Sequence, residues 1–262
     1  MMNILDFSSK KAKSQPITMI TAYDFFTART AETAGVDCIL VGDSAGMVIH
    51  GYSDTLSMEP EIMSLHTRAV RKGAPKTFIV GDMPFLSHRK GTEFAVNVAG
   101  DLIRSGANAV KLEGAAGVLD LVEHLVLSGI PVMGHLGLTP QSIHQLGGYR
   151  VQGKSLSDQE KLKESSKALQ TAGCFALVLE CVPEALSREI AGSLEIPVIG
   201  IGCGQGADGQ VLVWHDLLGC FEDFKPRFVR RFANLHETAV QGIRAYIEAV
   251  NEGSFPSEKE SY

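Results

Sequence analysis

Asp43, Asp82, Glu113, His135 and Glu180 each stand at the end of a short apolar run, and their types suggest one kind of chemistry. Asp43 closes CILVGD, Asp82 closes TFIVGD, Glu113 falls in AVKLEG, His135 closes PVMGH and Glu180 closes ALVLE. Lys111 precedes Glu113 by two residues, so in a strand both point to one face. Four carboxylates gathered without cations would repel one another and resist ionisation. A hard divalent cation removes that difficulty, and Mg²⁺ suits all-oxygen ligation from one or two carboxylates, leaving positions for water and substrate. Asp43 and Asp82 are the candidate ligands, with Glu113 a third through water. An open position could hold a 2-oxo acid by its carboxylate and keto oxygens, and the metal would stabilise an enolate formed by proton removal. Glu180, a carboxylate in apolar company, is the candidate base.

Each residue also has a plainer reading. An Asp or Ser just after a strand often caps the next helix, which would account for Asp43 or Ser44 taken singly. His135 taken alone is more often a hydrogen-bonded structural histidine, and Glu180 could cap or pair locally. Lys111 as a core lysine needs a partner, so either a salt bridge with Glu113 or substrate binding must explain it. Asp at two strand ends and Glu at two more tip the reading towards a site.

Positioning these residues requires a repeated element. A helix-like stretch, a Gly-containing turn and an apolar run recur: Gly35 precedes CILVGD, Gly73 precedes TFIVGD, Gly106 precedes AVKLEG, Gly129 precedes PVMGH and Gly173 precedes ALVLE. These glycines fall where a helix C-cap needs positive φ. An opening strand at Ile17 to Thr21, PVIGIG at Pro197 to Gly202 and QVLVWH at Gln210 to His215 bring the apolar runs to eight. Being continuous rather than alternating, they suit strands buried on both faces. Helices are expected over Phe25 to Ala34, Pro60 to Arg71, Glu93 to Ile103, Leu119 to Leu127, Gln159 to Gln170 and Glu184 to Ala191, with Ser157 and Glu160 at capping-box spacing. The pattern predicts a closed (β/α)8 TIM barrel, an α/β fold whose active site lies at the C-terminal strand ends. The segment Gly137 to Lys154 is expected as an ordered loop over the site, and Gly202 to Gln210 leaves no room for a helix. A long helix from Phe228 to Asn251 and a polar, frayed tail from about 253 complete a single domain over 1–262. Phe25, Phe26, Met63 and Phe228 are expected in the core.

Several function classes are excluded. With 262 residues, 45% hydrophobic and 21% charged, and a net charge of −6, the chain has no basic footprint for nucleic acid. Its apolar runs of about six to eight residues fall short of the roughly 20 that span a bilayer. Met1 to Lys13 is polar and lacks an apolar signal core, which points to the cytoplasm. The five cysteines are isolated, without CxxC spacing, and read as reduced thiols rather than zinc ligands. GIGCGQGADG, from Gly200 to Gly209, has no Walker pattern and no following helix, so it reads as a tight barrel-top loop.

Read in order, ITMITAYD, VGDSAGMVIHGYSDT, VGDMPF, AVKLEG, GHLGLTPQSIHQLGGYRVQG, LVLECVP and IGIGCGQGADGQVLVWHD make the chain resemble ketopantoate hydroxymethyltransferases from about Ile17 to beyond Asp216. The resemblance implies a barrel of the phosphoenolpyruvate/pyruvate group. It also implies conversion of 3-methyl-2-oxobutanoate and 5,10-methylenetetrahydrofolate to 2-dehydropantoate and tetrahydrofolate, in pantothenate biosynthesis. By the same resemblance Asp43, Asp82 and Glu113 match Mg²⁺ positions, and Asp43, Ser44, Asp82 and Lys111 match oxo-acid contacts. Glu180 matches the proton acceptor and His135 a further site residue. Cys203 departs from the small apolar residue expected there and could alter the thiol sensitivity of its loop. A homo-oligomer, commonly a decamer, is implied as well. The rival is a Mg²⁺-dependent lyase or mutase of the phosphoenolpyruvate mutase/isocitrate lyase type, although no KKCGH-like segment is present. A non-catalytic barrel that binds a metabolite is the alternative from another class.

Overall fold

The computed structural model describes residues 2–222 and 226–262; Met1, at the head of the N-terminal stretch discussed above, lies outside them. Residues up to Val213 form one compact unit and Trp214–Tyr262 a second. In the first, eight parallel strands close into a barrel in sequence order. They are β1 Ile17–Thr21, β2 Cys38–Val41, β3 Phe78–Asp82, β4 Ala109–Glu113, β5 Val132–Gly137, β6 Ala176–Glu180, β7 Val198–Ile201 and β8 Gly209–Leu212. The eighth strand is shorter than its apolar run suggests: Trp214 and His215 open a helix instead.

Inward positions alternate along each strand, as the pleat requires. Met19, Leu40, Phe78, Val80, Met133 and Val178 fill the lower barrel. The next inward positions up the strands are the charged ones. Register then decides which of them face each other: Asp82 lies opposite Lys111, Glu113 opposite His135, and Gly137 opposite Glu180.

The helices of this unit are α1 Ile4–Ala12, α2 Phe25–Ala34, α3 Ala45–Val48, α4 Pro60–Gly73, α5 Thr92–Arg104, α6 Leu119–Leu127, α7 Ile143–Leu146, α8 Leu156–Thr171 and α9 Glu184–Ser193. Helix α1 falls in the stretch that reads as merely polar. It starts at a capping box made by Asn3 and Asp6, and buries only Phe7. That ring meets Phe78 and Phe175 edge-to-face at 5.1 and 5.2 Å among the residues of the lower core, well below the charged level. Lys10–Asp37 and Lys11–Asp208 ion pairs hold the helix in place.

Gly35, Gly106, Gly129 and Gly173 take positive φ at their helix-to-strand turns. Gly73 does not. It belongs to α4, and a Cβ there would lie against the Phe25 carbonyl of α2, so close helix packing explains it. Ser155, not Ser157, caps α8: its extended backbone lets its hydroxyl accept from the Asp158 N–H. Met63 is core, but Phe25 and Phe26 are exposed at the first turn of α2, which buries Thr27, Ala28 and Ala31 instead.

In the second unit, α10 spans Trp214–Leu218 and α11 spans Leu235–Asn251. The long helix therefore begins at Leu235 rather than Phe228. The amides of Phe232 and His236 bond to the carbonyls of Leu217 and Gly219 instead of continuing a helix upstream. Phe228 is exposed. Past Gly253 the tail forms a short 3₁₀ turn, Glu258–Glu260, under a Ser257/Glu260 capping box, where a frayed end is expected. No helix among the described residues is long and apolar enough to cross a membrane.

Candidate active site

The upper end of the barrel gathers the residues that the strand ends predict. Asp43, Asp82, Lys111, Glu113 and His135 are all buried, and Glu180 is partly open. Lys111 Nζ lies 2.7 Å from Asp82 Oδ1, so its partner is the cross-strand Asp82 and not Glu113 two residues along. His135 joins the next pair. Its Nδ1 is 3.4 Å from Glu113 Oε1 and its Nε2 is 3.3 Å from Glu180 Oε2.

Asp43 lies beyond the end of β2, and its backbone N–H donates to Asp82 Oδ2 at 3.1 Å. Ser44 makes no side-chain cap to α3. Its hydroxyl lies 2.8 Å from the Tyr23 hydroxyl instead, which removes the capping explanation for that residue. Glu180 is followed by Cys181 in a left-handed conformation (φ 48°), which turns the chain sharply after the carboxylate. Across from it, Gly137 has φ 90°, and a Cβ there would collide with the Glu180 carbonyl. Glycine is therefore required for β5 and β6 to close at this level.

The electrostatics follow from burial and crowding. Burial pushes the Asp43 carboxyl well above its usual range, and the charges of Asp82 and Glu113 add to the effect. Burial also raises Asp82, against the pull of Lys111. Glu113 lies below its usual value: burial opposes ionisation most, but the hydrogen bond and charge of His135, the Lys111 ammonium and the Gln141 N–H together outweigh it. Burial and Lys111 disfavour a charged His135, yet the bonds to Glu113 and Glu180 raise it to about 9. Lys111 is likewise raised, the carboxylates overcoming burial. Were all four carboxyls ionised they would exceed the one ammonium and one imidazolium by two negative charges, and the raised Asp43 and Asp82 show what that crowding costs without a further cation.

Two residues that sequence reasoning missed belong to the site. Gln141, in a 3₁₀ turn at Pro140–Ser142, donates from Nε2 to Asp43 Oδ2 at 2.8 Å and to the Met83 carbonyl at 3.0 Å. Its own N–H donates to Glu113 Oε2 at 3.0 Å. His88 is buried nearby and lowered to about 4, by burial first and then by Arg89, so its ring is neutral. Gln141 lies in a quoted motif, but nothing in its spacing marked it. The segment Gly137 to Lys154 is an ordered loop, as expected, and carries α7. A cleft of about 310 Å³ lies between it and the segment after α3, lined by Ser53, Asp54, Ile143, His144 and Tyr149. The Tyr149 hydroxyl lies 3.7 Å from Met47 Sδ in α3, the helix that follows Asp43, and is raised by burial first and then by the charges of Asp54, Glu180 and Asp43.

The donor set fits a divalent oxygen-seeking cation: the crowded carboxyls are buried, and two of them adjoin. Among the described residues no three His, Cys, Asp or Glu side chains are gathered to hold a metal outright. A small hard cation needs only one or two carboxylates such as Asp43 and Asp82, with water and substrate completing its coordination. Cys203 is buried, accepts a hydrogen bond from the Ser187 hydroxyl at 3.3 Å, and has a thiol pKa raised by burial, so it is shielded rather than reactive.

The family model of ketopantoate hydroxymethyltransferase matches residues 1–258. The chain belongs to that family. A 3-methyl-2-oxobutanoate hydroxymethyltransferase of Bdellovibrio bacteriovorus is 52% identical, with 100% of each chain covered. One of the same name from Thermotoga neapolitana is 51% identical over 98% of this chain and 95% of its own. Solved structures extend the likeness in fold beyond the ketopantoate hydroxymethyltransferases. A phosphonopyruvate hydrolase, crystallised with oxalate and Mg²⁺, has TM-score 0.65 at 12% identity and covers 99% of this chain and 93% of its own. A 2,3-dimethylmalate lyase of the PEP mutase/isocitrate lyase superfamily has TM-score 0.63 at 17% identity, covering 100% and 92%. At such identities they share the barrel alone, whereas family membership rests on the relatives near 50%.

Proposed function

We propose that this chain transfers a hydroxymethyl group to 3-methyl-2-oxobutanoate from 5,10-methylenetetrahydrofolate, giving 2-dehydropantoate and tetrahydrofolate. The observation that carries the reading is the connected set Asp82–Lys111, Glu113–His135–Glu180 at the barrel mouth, with only Glu180 partly open. Asp43 and Asp82, with Glu113 through water, would hold Mg²⁺, which when bound supplies Lewis-acid polarisation of a 2-oxo group.

Lys111, Ser44, Asp43 and Asp82 surround the oxo-acid position. The Lys111 ammonium neutralises negative charge developing on the keto oxygen. Glu180 takes the C3 proton and is neutralised by it, and His135, with Nε2 3.3 Å from Oε2, positions the carboxylate. C3 then bonds to the methylene carbon of the donor. The two C–N bonds of that carbon break, water supplies the hydroxyl, and the folate nitrogens take up the two protons released. The cleft beside Tyr149 gives the donor room outside the buried carboxylates.

The reading includes a cytoplasmic homo-oligomer, a decamer, and both compact units acting as one domain, which the match over 1–258 supports. The direct test supplies a donor labelled with ¹³C in its methylene group and follows the carbon by NMR. Label in 2-dehydropantoate supports the reading. Label remaining in the folate, with both substrates and Mg²⁺ present, overturns it.

A further inference from the structure

Gln141 touches two of the carboxylates assigned above to the cation, and every polar hydrogen it owns is directed to the site. Its Nε2 faces Asp43 Oδ2 and the Met83 carbonyl, both acceptors, which fixes the amide orientation and turns Oε1 away from them. Its backbone N–H takes Glu113 Oε2, while Glu113 Oε1 faces His135. Glu113 therefore has both oxygens engaged, and Asp43 has Oδ1 left. Gln141 Oε1 is buried and has no hydrogen-bond partner in the protein. A buried acceptor without a partner requires a donor from elsewhere, and water on a hydrated cation is one.

We infer that Gln141 is a positioning residue, which presents one oxygen of Asp43 to a divalent cation and holds Glu113 at the distance of an intervening water. The inference rests on the metal assignment made under the proposed function. It explains why the 3₁₀ turn at Pro140–Ser142 must dock for the site to be complete, since that turn delivers side-chain and backbone donors together. Outer groups that orient metal ligands typically govern affinity by about 10- to 100-fold.

The test is Mn²⁺ binding, read by loss of the free-ion EPR signal, in wild type and in Gln141→Met, Gln141→Asn and Gln141→Ala, with thermal melts run alongside. Gln141→Asn keeps the amide but withdraws it by one carbon, and serves should the Met and Ala variants fail to fold. Gln145→Ala, an exposed change on the same segment, is the control and should bind as wild type does. The expected result is a Kd raised about tenfold or more in the Gln141 variants. Folded variants with wild-type Mn²⁺ affinity, whatever their melting temperature, overturn the positioning role and leave the metal assignment standing. Wild-type protein that binds no Mn²⁺ overturns both, and the two failures are thereby distinguished.

Discussion

Replacing Lys111 by Met removes the one ammonium among the buried carboxylates. Lys111 and Asp82 meet at 2.7 Å with side chains only 4% and 3% exposed, so no solvent replaces the lost partner. Breaking a buried pair from one side costs about 3–5 kcal/mol, because the remaining charge is left uncompensated. For a chain of this size that is a fall in Tm of roughly 6–20 °C. The loss must depend on pH. Asp82 already lies above its usual value in the folded state, and without Lys111 it rises further. A carboxyl raised by folding binds more protons in the native state, so its penalty is complete above the folded pKa and fades as pH falls towards the unfolded value. Urea unfolding of both proteins in EDTA, at pH 8 and pH 5, should show the full deficit at pH 8 and a smaller one at pH 5. Mg²⁺ should recover part of the loss at pH 8 by binding the native state. A deficit below about 1 kcal/mol at pH 8, or one that does not change with pH, would refute the reasoning.

Other outcomes follow from the same geometry. His135 is raised to about 9, so the stability its charged ring adds is complete below its ordinary value and lost as pH climbs through 9. The gap in urea stability between wild type and His135→Asn should therefore be widest in mild acid and close above pH 9. Phe7→Ala should lower stability by about 3–5 kcal/mol, since it empties a site between Phe78 and Phe175. Because that site lies in the lower core, kcat/KM of the folded variant at 25 °C should match wild type. Cys203→Ala should leave the number of thiols that label in the native protein unchanged, and lower it by one only after unfolding, as checked with a chromogenic thiol reagent.

The barrel was legible because its strands are continuous apolar runs and a parallel barrel brings their C-terminal ends to one mouth. That rule alone gathers Asp82, Lys111, Glu113, His135 and Glu180. Their pairing was not legible, since Lys111 meets Asp82 only through a register fixed by closure, and local spacing pointed to Glu113. Gln141 escaped notice because it acts from a turn with no periodic pattern around it, half of its role through the backbone. Helix α1 was missed for a related reason: with Phe7 its one buried residue, it has no apolar face to read. Phe25 and Phe26 show the opposite failure, as helical spacing says that a face exists but not which one turns inward. The long helix was begun too early because the apolar residues before Leu235 mimic its pattern, while their amides are used elsewhere.

The most direct test of the central claim is NMR-detected exchange of the C3 proton of 3-methyl-2-oxobutanoate in D₂O, without folate, for wild type and Glu180→Gln. Wild type with Mg²⁺ should exchange the proton, and should do so far more slowly once Mg²⁺ is chelated. Glu180→Gln should still bind the oxo acid but leave its proton in place. Exchange at the wild-type rate in Glu180→Gln, or none in a wild type that still carries out hydroxymethyl transfer, would contradict proton removal by Glu180 as the step that begins the reaction.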